Sequence, residues 1–116
     1  MKLQIETEGF ELDTELEKYL TRKLTQLARH IPRAEKPAAG FVVQLRRKVV
    51  RETKQNTCTL SLVLTNQTLQ ASEMTQHLHT AVDVTAVSVG EQLKRYAREQ
   101  RNARRRLSLR RHKGTV

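Results

Sequence analysis

The segment from Thr75 to Arg106 constrains the fold most, because one helical pattern runs without a break from an apolar half into an arginine-rich half. From Leu78 to Tyr96 the apolar side chains recur at a spacing near 3.6 residues, as on one face of a helix. A helix of about 30 residues would reach about 45 Å, which is longer than a small sheet can cover. We therefore predict that its first half packs on a sheet, that its last turns project into solvent, and that a flexible tail follows.

Positive charge is concentrated in the same segment. The chain carries 22 Lys and Arg against 12 Asp and Glu, a net charge of +10, and residues 94–113 alone contribute +9. Such a local positive field attracts a polyanion, either nucleic acid or an anionic membrane. Arg outnumbers Lys here and suits bidentate phosphate contacts, whereas residues 98–111 lack the broad apolar face that enters lipid. The pattern favours RNA.

Length and composition predict one soluble cytoplasmic domain. A chain of 116 residues supports a single modest core, and no apolar run approaches the roughly 20 residues of a membrane span. The N-terminus lacks the apolar region of a signal peptide. The single cysteine, Cys58, lies among inward-facing leucines and is interpreted as a small core residue.

The first 31 residues predict a strand followed by an amphipathic helix. "KLQIETE" alternates apolar and polar residues, and Asp13 is a suitable N-cap. One face of the predicted helix is apolar, through Leu16, Leu20, Leu24, Leu27 and Ile31. The other face is basic, through Lys18, Arg22 and Arg29, with Lys23 at the edge of the apolar stripe.

Three further strands are predicted between a loop at 32–40 and the last helix. "FVVQLRRKVV" is the second strand, and a polar connection at 51–56 leads to the third, "TCTLSLVLT". Asn66 and Gln67 predict a tight turn, since Asn tolerates the left-handed conformation, and "TLQAS" is the fourth strand. The predicted class is α+β, a two-layer β-α-β-β-β-α sandwich with two helices on one face of a four-stranded sheet. Residues 1–100 would form the domain, and 101–116 a basic helix extension and flexible tail.

Several residues near the buried stripe of the last helix carry separate expectations. Val84 and Val87 fall on the opposite face, which leaves open either a more enclosed helix or a small apolar patch for a partner. His79 and Asp83 are four residues apart and could hydrogen-bond on the helix surface. Tyr19 is expected to border the core rather than stack on bases, and so is Tyr96.

With these elements in order, the chain resembles the ribosome hibernation-promoting factor family, also called sigma-54 modulation proteins. The matching motifs are "LQI" in the first strand, "ELDTELEKYLTRKLTQL", "LQAS", "AVD" and "EQLKRY", over about residues 1–100. The sequence departs from the family at Val87-Ser88, Glu91, Ala97, His79 and the Asn66-Gln67 turn, and its basic charge is shifted downstream to 98–111. It resembles the short members, which lack a second domain.

The resemblance implies a domain that occupies the messenger and transfer RNA channel of the small ribosomal subunit and blocks translation in stressed or resting cells. Its partners would be that subunit and its ribosomal RNA, and the free protein would be monomeric. Family positions that contact RNA phosphates match Arg22, Lys23, Arg95 and Arg101, with Lys94 and Arg98 as neighbours. With the other exposed bases of the two helices, the predicted RNA-binding residues are Arg22, Lys23, Arg29, Lys94, Arg95, Arg98, Arg101, Arg104 and Arg105.

The residues give no support to catalysis, a cofactor, a metal site, a small-molecule substrate or a membrane partner. The chain has no Gly-rich phosphate loop, no metal-ligand spacing and no carboxylate pair on a shared loop. A small basic ribonuclease would need His30, His77 or His112 as its base, and none of them has an acid–base partner pattern. A generic module for double-stranded RNA or DNA is a further alternative, since β-β-β-α order also occurs in such domains.

Overall fold

A computed structural model describes residues 2–114 of the chain, and the side chains of residues 2–107. The elements are β1 (Lys2–Glu8), α1 (Thr14–Ala28), β2 (Gly40–Val50), β3 (Thr53–Val63), β4 (Thr68–Thr75) and α2 (Leu78–Gly114). The four strands form one sheet in the order β1-β2-β3-β4, with β1 parallel to β2 and the other pairs antiparallel. The predicted α+β class and β-α-β-β-β-α order are confirmed.

Helix α1 begins and packs as its sequence predicts. The carboxylate of Asp13 accepts a hydrogen bond from the backbone N–H of Leu16 at 2.7 Å, which satisfies a donor that the helix itself leaves free. Glu15 and Glu17 lie in the first turn, where the helix dipole favours negative charge. The predicted apolar face is buried, through Leu16, Leu20, Leu24, Leu27 and Ile31.

The core lies between the helices and one face of the sheet. Alternate residues of β2 and β3 point into it, namely Phe41, Val43, Leu45, Cys58, Leu60 and Leu62. Helix α2 packs on β3 and β4 through the predicted stripe of Leu78, Val82, Thr85, Val89, Leu93 and Tyr96, all of them buried. Each buried aliphatic side chain contributes about 1.5–3 kcal/mol, so this face of the sheet fixes where α2 lies.

The connection between β2 and β3 is shorter than predicted. The expected polar connection at 51–56 is wrong, because only Arg51 and Glu52 separate the strands, with φ of 50° and 65°. Two residues with positive φ are the signature of a type I′ hairpin turn. The strands also extend farther than the core, and the residues from Lys48 to Lys54 are all exposed. Because no described residue packs over this part of the hairpin, its sequence does not alternate and resembles a loop.

Two other boundaries differ from the sequence predictions. Residues 64–67 join β3 to β4, closed by a hydrogen bond from Leu64 N–H to the Gln67 carbonyl at 2.9 Å. The φ of Asn66 is not positive, so the left-handed turn expected there is wrong. Strand β4 continues to Thr75 rather than residue 72, and α2 begins at Leu78 rather than near Thr75.

Helix α2 outruns the sheet, as predicted, and is longer than expected. Its 37 residues correspond to about 55 Å, in a molecule measuring 72 × 24 × 18 Å. The side chains from Arg101 to Leu107 are all exposed. The helix continues to Gly114, through part of the expected flexible tail; residues 115 and 116 and the side chains of 108–114 lie outside the described part. The domain boundary at residue 100 stays a prediction.

Candidate nucleic-acid interface

Helices α1 and α2 meet at Gly90 and leave a groove between them. A Cβ atom added to Gly90 would lie 3.1 Å from Cδ2 of Leu27, so the missing side chain permits the close approach. The groove has a volume of about 310 Å³. It is lined by Lys23, Gln26, Leu27, His30, Asp83, Ala86, Val87, Gly90, Glu91 and Lys94. Val87 is thus an exposed apolar residue on the wall of this groove, rather than part of a more enclosed helix.

A second depression continues the groove toward the C-terminal half of α2. It has a volume of about 430 Å³ and is lined by His30, Lys94, Ala97, Arg98 and Arg101. Lys94 contributes to both depressions. The fold therefore places four of the predicted RNA-binding residues along one side of the helix pair: Lys23, Lys94, Arg98 and Arg101.

Arg95, Arg22 and Arg29 do not line these depressions, and Arg104 and Arg105 lie farther along α2. Arg95 follows Gln92 by three positions, and Gln92 donates a hydrogen bond to the Gln70 carbonyl of β4, so Arg95 faces the β4 edge. Arg22 lies on the outer side of α1 over the Tyr19 ring, 5.4 Å from its centroid. Arg29 is exposed at the C-terminal end of α1. Arg104 and Arg105 are exposed on the part of α2 that outruns the sheet.

A cluster between the two helices was missed by the sequence analysis. The Tyr19 hydroxyl donates to Oδ1 of Asp83, and Nζ of Lys23 lies 3.4 Å from the same oxygen. The hydrogen bond to Asp83 is the main cause of a raised pKa of Tyr19, with burial second. Lys23 therefore has a carboxylate partner within the protein, and its charge is less available to a phosphate than that of Lys94 or Arg98.

Asp83 makes a different contact from the one predicted for it. Its Oδ1 accepts from Tyr19 of the other helix rather than from His79. The His79 ring instead packs edge-on against Tyr19, with ring centroids 4.8 Å apart. Tyr19 packs against the core, as expected. The i,i+4 spacing of Tyr19 and Lys23 on α1 was the only sequence signal for this cluster, and it could not identify the partner helix.

A second hydrogen-bonded cluster holds α2 where it leaves the sheet. The Tyr96 hydroxyl donates to Oε1 of Glu35 at 2.6 Å, and the backbone N–H of Thr65 donates to the same oxygen at 3.3 Å. Burial, followed by the Glu35 contact, raises the pKa of Tyr96 to about 12, so the hydroxyl keeps its proton at neutral pH. These contacts tie α2 to the loop after α1 and to the β3–β4 connection, and so fix the direction in which its arginines project.

The surface formed by the C-terminal half of α2 is strongly cationic. Over residues 94–107 the helix carries seven Lys and Arg side chains and a single acid, Glu99. Across residues 2–107 no group of three or more His, Cys, Asp and Glu side chains is arranged to hold a metal ion. No helix within the described residues combines the length and apolar character that a membrane crossing requires.

The fold and this surface define a small α+β protein with a basic helix pair on one face of its sheet. Residues 3–101 match the family described as Sigma 54 modulation protein / S30EA ribosomal protein, and the chain belongs to that family. None of the curated protein sequences compared with the chain matches it.

Two solved structures share the fold. A ribosomal subunit interface protein from Coxiella burnetii aligns with a TM-score of 0.65 and 15% identity, over 83% of this chain and 97% of that one. The N-terminal domain of Thermus thermophilus Protein Y aligns with a TM-score of 0.64 and 15% identity, over 83% of this chain and 99% of that one. The parts of these two chains left unaligned are small, whereas this chain has additional residues.

Proposed function

We propose that this protein is a ribosome hibernation factor of the cytoplasm, which binds the small ribosomal subunit in the channel for messenger and transfer RNA. Membership of a family described as ribosomal supports ribosome association, and the Coxiella burnetii neighbour is named as a subunit interface protein. The observation that carries the proposal is the row of exposed cations on α2, running from the inter-helix groove beyond the end of the sheet.

Phosphate contacts would provide most of the affinity. Lys94, Arg98 and Arg101 line a continuous depression and have no acidic lining residue beside them in its distal part. Arg104 and Arg105 extend the cationic row beyond the core. Each phosphate that a Lys or Arg neutralises releases a counterion, so log K would fall by about 0.7–0.9 per contact for each log unit of salt. Binding is therefore expected to weaken steeply as salt rises.

Inhibition would be steric and would need no catalytic group. The folded body is 24 × 18 Å across, and α2 is held to it by the core and by the Tyr96–Glu35 hydrogen bond. A body of this size, bound by phosphate contacts, excludes messenger RNA and anticodon stems from the volume that it occupies. The free protein is proposed to be a monomer, with the small ribosomal subunit and its ribosomal RNA as its partners.

Sedimentation with purified ribosomes tests the proposal. Vacant ribosomes are expected to carry the protein into the pellet at low ionic strength, and ribosomes loaded with transfer RNA are expected to leave it in the supernatant. Equal binding to loaded and vacant particles would contradict binding in the channel. Equal affinity for an unrelated RNA duplex would instead identify a generic duplex-binding module, and loss of full-length RNA with time would identify a nuclease.

A further inference from the structure

We propose that the end of the β2–β3 hairpin, residues 48–54, is a second RNA-contacting surface, separate from the basic face of the helices. This inference rests on the proposed ribosome binding and adds a contact at the other end of the molecule. We call these seven residues the hairpin tip. They were interpreted from the sequence as a strand end and a polar connection, with no role in binding.

Cations predominate at the hairpin tip. Lys48, Arg51 and Lys54 are exposed, and Glu52 is the single acid among the seven residues. The preceding arginines have partners within the protein: Arg46 donates to Glu8 at 2.9 Å, and Arg47 donates to Oδ1 of Asn56 at 2.8 Å. Neither of the two ion pairs found among residues 2–107 involves a cation of the tip. Its three positive charges are therefore available to an external anion.

The turn places the cation of Arg51 at the outermost point of the hairpin, in a left-handed backbone conformation that residues with a Cβ disfavour. Arg51 and Glu52 both adopt positive φ, at 50° and 65°. Asn-Gly or Asp-Gly is favoured in such two-residue turns, because side chains with a Cβ are strained in the left-handed region. Strained residues of this kind are concentrated at functional sites. Arg51 therefore occupies a position where a residue chosen for stability alone would be smaller and uncharged.

Exposed apolar side chains accompany these cations, and their small area favours RNA over a membrane. Val49 is 63% exposed and Val50 is 38% exposed. Val49 is paired across the ribbon with Lys54, and Val50 with Thr53, so each face of the tip carries one valine. Apolar groups beside cations suit RNA loops, in which unstacked bases and sugars lie next to phosphates. Two valines without an aromatic residue are too small an apolar surface to enter a membrane.

The fold separates the tip from the α2 extension. Strand β2 starts at Gly40, which pairs with Lys2, and the tip follows its other end. Asn56, just behind the tip, pairs with Thr75 of β4 and donates a hydrogen bond to the Gln76 carbonyl, immediately before α2 begins. The tip thus lies beside the start of α2, and the arginines project from the opposite end of a molecule 72 Å long. Contacts at both ends would fix the rotation of the bound protein as well as its position.

Directed hydroxyl-radical cleavage tests the tip without removing a cation. An iron chelate is attached to Glu52→Cys at the tip or to Glu99→Cys on α2, two matched replacements of an exposed acid. The parent protein is the control, because its Cys58 is buried and burial raises the pKa of its thiol. We expect each probe to cleave its own segment of small-subunit RNA. Cleavage from Glu99→Cys alone would overturn the tip contact and leave the proposed function standing, whereas no cleavage from either would contradict both.

A charge-reversal variant measures the contribution of the tip to affinity. We expect Lys48→Glu/Arg51→Glu/Lys54→Glu to bind vacant ribosomes at least about tenfold more weakly than the parent. Because three phosphate contacts would be lost, the slope of log K against log salt concentration should also be smaller in magnitude by about 2. The control is Lys2→Glu/Arg33→Glu/Lys36→Glu, the same charge change at exposed residues near the other end of β1 and β2. Equal binding of the tip and control variants would overturn the proposal.

A second tip variant keeps the contact testable if the charge-reversal variant does not fold. Arg51→Asn/Glu52→Gly removes one cation and one acid while it supplies the preferred turn residues. We expect it to fold at least as well as the parent and to bind ribosomes several-fold more weakly. Parent-like affinity in this variant would argue against a contact by Arg51.

Discussion

At Gly9, between β1 and α1, the backbone takes a φ of +88°, and an added Cβ would lie 2.1 Å from the carbonyl oxygen of Arg47. Both the conformation and the contact with the β2 backbone exclude a side chain. We predict that Gly9→Ala lowers the free energy of unfolding by about 3 kcal/mol, measured by urea denaturation.

Gly40 provides a matched control for this substitution. It lies in β2, and an added Cβ would meet Lys2 Cβ at an ordinary 3.5 Å. Gly40→Ala should change stability by less than about 1 kcal/mol, in the stabilising direction, because alanine loses less backbone entropy on folding. Equal effects of the two substitutions would mean that the close approach of Gly9 to β2 is not a constraint.

Some features of the candidate site could be predicted from the sequence around a single residue, and others could not. The exposed cations of α2 follow from helical spacing alone, since the opposite face is the buried stripe. The pairing of Lys23 with Asp83 does not follow, because Tyr19 and Asp83 are 64 residues apart and only the packing of two helices brings them together. Sequence periodicity identifies the face of a helix on which a residue lies, but not the neighbour that the face meets.

At the scale of the element, the β2–β3 turn carries conformational strain that a substitution can relieve. We predict that Arg51→Asn/Glu52→Gly raises the free energy of unfolding by about 1 kcal/mol, measured by urea denaturation, because Asn and Gly suit the positive φ at both positions. Asn66→Gly in the β3–β4 connection is the control and should give no gain, since φ is not positive there. A gain from Asn66→Gly but none from the hairpin variant would refute the type I′ assignment.

The extension of α2 is predicted to bind RNA without contributing to the core. Arg98→Glu/Arg101→Glu/Arg105→Glu should reduce ribosome binding at least about a hundredfold in sedimentation assays, since three phosphate contacts become repulsive. The free energy of unfolding should change by no more than about 0.5 kcal/mol, because all three side chains are exposed. The Lys2→Glu/Arg33→Glu/Lys36→Glu variant controls for net charge. Retained binding by the α2 variant would contradict the role of the extension.

The elements differ in how far the sequence could define them. Both helices and the buried halves of the strands were predictable, because a half-buried element alternates or repeats its apolar residues with the period of its own geometry. The outer part of the β2–β3 hairpin was not, since residues 48–54 are exposed among the described residues and burial therefore imposes no pattern on them. The parallel pairing of β1 with β2 also depends on the whole sheet rather than on either strand.

At the scale of the whole molecule, the contribution to stability and the proposed RNA binding lie at different ends of one long helix. The buried stripe of α2 ends at Tyr96, whose hydroxyl is held by Glu35, and the exposed cationic row continues from there. The sheet is too short to bury the rest of this 37-residue helix, so the arginines remain exposed. This division explains why an apolar segment continues directly into a basic one without a linker.

Chemical footprinting of the small-subunit RNA tests the central claim most directly. With the protein bound at low ionic strength, we expect protected nucleotides in the messenger and transfer RNA channel. These protections should be absent when transfer RNA already occupies the particle and should be lost in the Arg98→Glu/Arg101→Glu/Arg105→Glu variant. Protections confined to the outer surface of the subunit, or unchanged by bound transfer RNA, would contradict the account.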